Sequence, residues 1–269
     1  MSSLTQPQPV RAPRPASPAE IARARLRRQP FPPDATIGIP FYDDEFDMAQ
    51  TQAHSAMIRD LGQFLDRLAD WTGLQVLSDN PVWYWVQEDD QQRILYPDFA
   101  LADTRFIERV MATDLRLALE VVSTERPEKE RKDSVRMRDR NAANGVPEFA
   151  LLYPDLDDSR ALRWFWLDED DGRYREARLP ADRRFRSQAV PGLELEALEP
   201  DQWRFGRKAR LWYRGQRITS AEEEARRADL EASRADLEAS RAGQEASRAE
   251  AAEAENARLR ALLRQAGLE

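Results

Sequence analysis

The sequence predicts an α/β fold: a mixed central sheet flanked by helices, followed by one long C-terminal helix. Three observations lead there. Leu115 to Val122 and Phe149 to Tyr153 are apolar at almost every position, the mark of strands covered on both faces. Apolar residues at three-and-four spacing precede them over His54 to Trp71, as an amphipathic helix requires, and a charged helical segment separates them. Finally, the heptad Ala-Asp-Leu-Glu-Ala-Ser-Arg occupies 228–234, recurs at 235–241, and returns varied at 242–248.

Taken in order, residues 1–33 hold eight prolines and six Arg against Glu20 alone. That density predicts a disordered basic arm, with 20–28 as a possible short basic helix. His54 to Trp71 carries the helical spacing over about five turns, and Gly73 ends it. Leu74–Leu77, Val82–Val86 and Ile94–Leu101 read as strands, and 105–112 as a short helix. After the buried strand Leu115–Val122 comes a charged helix over 128–143, closed by Asn144-Gly145. Beyond Phe149–Tyr153, four antiparallel strands are expected at Leu162–Leu167, Tyr174–Leu179, Leu193–Leu198 and Ala209–Tyr213. The tail over 219–269 opens with a Ser220/Glu223 capping box. Helical over about 47 residues, it would be a rod of roughly 70 Å. Its seam is mostly alanine. Self-association as a coiled coil should therefore be weak, and the other readings are a lone helix held by Glu/Arg pairs or a different partner.

Composition narrows function. Apolar residues make up 41% and charged residues 33%, as expected for a folded body with a charged attachment. No run of about 18 apolar residues predicts a membrane span, and no secretory signal is visible. Cysteine is absent, which excludes disulfides and thiolate metal sites and makes a cytoplasmic home the expectation. His54 is the only histidine, and Lys129, Lys132 and Lys208 are the only lysines. Net charge is −8, with +5 in 1–33 and −4 in 219–269, leaving −9 in 34–218. Such a body argues against broad non-specific affinity for nucleic acid, so any DNA contact needs a local basic patch or the N-terminal arm.

Two acids carry chemistry. Tyr96-Pro97-Asp98 opens a strand, and Glu120 sits inside the apolar strand Leu117-Ala-Leu-Glu-Val-Val-Ser123. A carboxylate buried there is costly unless a metal or a partner compensates. Converging carboxylates can hold Mg²⁺ through oxygen, and a lysine can steady developing charge during phosphodiester hydrolysis. The bland alternatives are a turn at Pro97-Asp98 and an Arg-paired acid at a strand end. A glycosidase-like acid/base pair is a more distant reading, which would need an aromatic cleft from Trp83, Tyr84 and Trp85.

Pro97-Asp98, Glu120-Val-Val-Ser123, Asp133 and Gly145-Val-Pro-Glu-Phe149 together resemble the Uma-two family of restriction-endonuclease-like proteins. The similarity runs from about Met48 to about Tyr213, and an Ala/Glu/Arg-rich coiled tail is common in a long-form branch of that family. The resemblance implies the PD-(D/E)XK nuclease fold, a Mg²⁺ (or Mn²⁺) site on Asp98 and Glu120, and DNA as substrate. It gives His54 a place beside metal or substrate. Three positions depart from the pattern. Met137 stands where the family has a lysine, Asn141 where it has an aromatic, and Gln50 where it has a glutamate. Lys129 and Lys132 are the candidates for a displaced ammonium. The expectation is a metal-dependent endonuclease, catalytically weakened. The alternative is an inactive nuclease-fold scaffold that acts through its tail, with possible homo-oligomers.

Overall fold

The computed structural model describes residues 16–28, 51–88, 90–103, 110–124 and 127–265. The chain divides into a body ending at Ile218 and a tail from Thr219. Among the described residues no helix is long and apolar enough to cross a membrane.

The body is α/β with three mixed or antiparallel sheets. Its largest sheet has six strands in the order β1 (Gln75–Ser78), β4 (Phe99–Ala102), β6 (Leu115–Val121), β7 (Glu148–Leu152), β8 (Leu162–Asp168) and β9 (Arg173–Glu176). Within this sheet, among the described residues, β6 and β7 run parallel and the other neighbour pairs are antiparallel. The parallel pair needs a crossover, and the helical stretch over 127–143 supplies it. Alternation then sorts the side chains. Leu117, Leu119 and Val121 of β6 join Phe99, Leu101, Ala150 and Leu152 on one face, with Met57, Leu61, Leu65 and Leu68 of α2 (Gln52–Thr72). Ala118 and Val122 join Ala100, Phe149 and Leu151 on the other, against Tyr84, Met137 and Val146.

α2 starts at Thr51, whose side chain accepts from the His54 amide, and stops at Gly73 in the left-handed region. A three-stranded sheet, β3 (Gln91–Leu95), β2 (Val82–Val86) and β5 (Val110–Met111), lies by the second face. A four-stranded sheet, β10 (Arg184–Arg186), β11 (Leu193–Ala197), β12 (Ala209–Tyr213) and β13 (Gln216–Arg217), adds Phe185, Leu195 and Leu211 to the first.

Three expectations need correction. The expected strand Ile94–Leu101 is two strands, because Pro97 lacks the N–H a continuing ladder needs. The short helix expected over 105–112 is not found in its described part. Val110–Met111 is a strand and Ala112–Asp114 a 3₁₀ turn, while 104–109 lie outside the described residues. β10 was not foreseen. It is three residues long and buries only Phe185 between two arginines. The short basic helix considered at 20–28 is present as α1 (Pro18–Arg28), two residues longer at its start, and it packs Ala22 and Leu26 onto Trp85 and Met111. Ser17 and Glu20 cap it reciprocally, and Pro18 occupies the first helical position, where its missing N–H costs nothing. The rest of that arm, like Met48 and Gln50, lies outside the described residues.

The helix over 127–143 is not uniform. α3 (Pro127–Arg131) passes into a π-helical turn, Lys132–Met137, and then into α4 (Arg138–Ala143). The tail forms α5 (Ala221–Gln265), a single helix of 45 residues.

Candidate functional site

The antiparallel register of β4 and β6 pairs Phe99 with Leu119 and Ala100 with Ala118. One step back, Asp98 stands opposite Glu120, so both carboxylates reach the same place. Glu120 Oε2 accepts from the Asp98 amide at 3.5 Å, and Asp98 Oδ2 accepts from the Val121 amide at 2.7 Å. Glu120 is 3% exposed and the Asp98 side chain 22% exposed, so the pair opens to solvent on the Asp98 side. Glu120 Oε1 is buried with no hydrogen-bond partner. A buried carboxylate oxygen without a donor calls for an explanation such as a water or an ion.

His54 comes from α2, on the opposite face of β6. Its Nε2 donates to the Val121 carbonyl at 2.8 Å and lies 4.0 Å from Asp98 Oδ2. A carbonyl can only accept, which places the ring hydrogen on Nε2. Burial pushes the imidazole below its usual value, so at pH 7 it is neutral and the approach to Asp98 is not an ion pair. Nδ1 is buried and unpartnered. His54 thus secures the end of β6 and sits beside the acids.

A third acid joins them electrostatically. Asp133, in the π-helical turn, is buried, with the Ser123 backbone amide acting to lower its carboxyl. Burial, then the Asp98 charge, pushes its carboxyl up to about 7. Burial pushes Glu120 well above the usual range, with Asp98 and Asp133 adding to it. Asp98 is raised by burial and held back by the hydrogen bond from the Val121 amide. The Lys132 charge opposes the rise at all three acids, and the Lys129 charge acts on Asp133 and His54. Asp133 was noted in the sequence only as part of a motif. Its signal was its position ten residues past Ser123 on a helix facing β6.

Other motif residues have structural work. Met137, at the expected lysine position, is 3% exposed in the core cluster of the second face. An ammonium there would stand within that apolar cluster. Asn141 accepts from Tyr84 Oη at 2.9 Å, tying α4 to β2 where an aromatic was expected. The Glu148 carboxylate accepts from Ser187 Oγ and the Gln188 amide, which anchors the loop after β10. Gly145 (φ +73°) allows α1 to dock, since a Cβ there would lie 2.5 Å from the Ala19 backbone. Lys208 is buried and donates to the Asp155 carbonyl at 2.8 Å, under the Trp203 ring. Trp83, Tyr84 and Trp85 are all buried, so they form no open sugar-binding cleft.

Beside the site runs an open groove of about 810 Å³, lined by Ala53 and Thr124, the chain neighbours of His54 and Ser123. Its far wall carries Asp155, Asp157, Asp158 and Arg160. Arg160 is paired with Asp158 and Glu130, so the wall is net acidic.

Among the described residues no three His, Asp or Glu side chains stand close enough together, as placed, to hold a metal between them. Mg²⁺ does not require that. It keeps several waters and commonly uses one or two carboxylates together with substrate phosphate. Asp98 and Glu120, with the unpartnered Oε1, are a donor set of that kind. No protein-family model matches the chain, and no curated protein matches it at a significant level.

Proposed function

We propose that this chain is a divalent-metal-dependent endonuclease that hydrolyses DNA phosphodiester bonds on a restriction-endonuclease-like sheet, with reduced catalytic power. The observation that supports it best is the cross-strand pair Asp98 and Glu120, whose inner oxygen Glu120 Oε1 is buried and unpartnered. In this reading the two acids hold Mg²⁺ or Mn²⁺. When bound, the ion supplies the positive charge that polarises a phosphodiester and activates water. Asp133 takes part as an outer acid that can receive or hold a proton near neutral pH, given its raised carboxyl. His54 keeps the Val121 carbonyl, and with it the β6 end, in place. Lys132 is the ammonium best situated to counter negative charge, since its field reaches all three acids. Lys129 stands further out, acting on Asp133 and His54.

The second reading, a nuclease-fold scaffold without chemistry, rests on two observations. The expected lysine position is filled by Met137 inside an apolar core. The groove beside the acids has a net acidic wall, which repels a phosphate backbone.

Nicking of supercoiled plasmid with Mn²⁺ separates the two. The endonuclease reading expects slow nicking that Asp98→Asn abolishes and Lys132→Ala reduces by about 10²- to 10³-fold, the usual loss for one electrostatic contact. Met137→Lys should add nothing, because its ammonium would open into the core. Metal binding without nicking by wild type at any metal or pH would favour the scaffold.

A further inference from the structure

The alanine seam of α5 changes phase before the helix ends. From Ala225 to Ala249 alanines recur at alternating steps of three and four. Continued in that phase, the next seam positions are Glu253, Asn256 and Arg260, which cannot make an apolar contact. A heptad restarted at Ala249, a three-residue shift, fits instead. It places Ala249, Asn256 and Leu263 at the first core position (a) and Ala252 and Leu259 at the second (d). Leu262 then flanks the seam. Leu259, Leu262 and Leu263 are 49%, 52% and 44% exposed in the single chain.

Charge distinguishes the two phases. In a parallel pair, the residue before each first core position (g) faces the residue five further on (e) in the other helix. The alanine phase sets Glu231 against Asp236 and Glu245 against Glu250, both repulsive. After the shift, Arg248 faces Glu253 and Glu255 faces Arg260, both attractive. Among the described residues these four side chains make no ion pair within the chain, whereas Arg227 pairs with Glu231. A lone asparagine at a first core position is the known device for fixing register and a two-stranded parallel arrangement, since two amides can satisfy each other only when they meet.

We propose that residues 249–265 pair with the same segment of a second copy, parallel and in register, with Asn256 facing its counterpart. The alanine-rich part before it is a spacer, not the interface. Three leucines per chain make the pairing weak. The carboxylate site does not enter this argument, so the two stand or fall separately.

Cysteine cross-linking tests it, and the native chain contributes no thiol. In full-length protein, Asn256→Cys and Leu263→Cys should each form a disulfide-linked dimer under mild oxidation, because like core positions face each other within disulfide reach. Ala254→Cys, on the outer face, should not. Sedimentation of wild type should show a monomer–dimer equilibrium that Leu259→Ala with Leu263→Ala moves toward monomer. Cross-linking of Ala254→Cys as efficient as that of Asn256→Cys would overturn the proposal. So would failure of either core cysteine, linkage only between Ala249→Cys and Leu263→Cys proteins when mixed, or a wild type that stays monomeric at high concentration.

Discussion

An acid in the middle of an apolar strand is expensive to ionise unless something compensates, and at Glu120 one carboxylate oxygen has no donor at all. Asp98 and Asp133 deepen the problem by repelling its negative charge. Each of the three acids therefore keeps its proton to a higher pH in the fold than in the unfolded chain. For Asp133 the window runs from its unfolded value near 3.9 up to about 7. Within it the folded state binds the extra proton, so stability falls as pH rises. Asp133→Asn mimics the protonated form. In chelator, the variant should gain thermal stability over wild type as pH goes from about 5 to about 8, with 2–4 °C of melting temperature for roughly each kcal/mol. His54, held neutral, pulls the other way below about 6.5, but both chains keep it and the comparison removes it. A difference that stays constant across this range would contradict the raised carboxyl. Ser123 belongs to the motif, and its backbone amide acts to hold down the Asp133 carboxyl. No spacing rule could reveal that, because the contact depends on how a π-helical turn aims one side chain.

At the scale of elements, what was legible followed from periodicity. The apolar runs of β6 and β7 and the three-four stripe of α2 are dictated by burial, so their positions could be read directly. Elements held by local chemistry were harder. β10 has one buried residue, and α1 lies in proline-rich surroundings that mask its two apolar contacts. Its signal was present in Ser17-Pro18-Ala-Glu20, a capping box with proline at the first helical position. Docking of α1 can be weighed. Leu26 is 1% exposed, and Leu26→Ala should lower the stability of the body by about 2–5 kcal/mol in urea unfolding. Gly145→Ala should destabilise by more than about 1 kcal/mol, since the new methyl meets the Ala19 backbone at a positive φ. If Leu26→Ala costs under about 0.5 kcal/mol, α1 is not held against β2 in solution.

For the whole molecule, body and tail separate at Ile218. A chain ending there should keep the urea midpoint and the metal affinity of the full-length body, because each compact unit carries its own internal contacts. A loss of unfolding free energy beyond about 0.5 kcal/mol would mean that the tail supports the body. The pairing of Asp98 with Glu120 was legible because a Pro-Asp strand start and an acid in an apolar strand are each anomalous alone. The acidic groove was not, since Asp155 to Arg160 reach the site only through the fold. The central claim is that Asp98 and Glu120 form one divalent-metal site, and calorimetric titration with Mg²⁺ or Mn²⁺ addresses it most directly. The account predicts saturable binding by wild type near one ion per chain, loss of binding in Asp98→Asn and in Glu120→Gln, and retention in Lys129→Ala. Equal binding by wild type and both acid variants, or none by wild type, would contradict it.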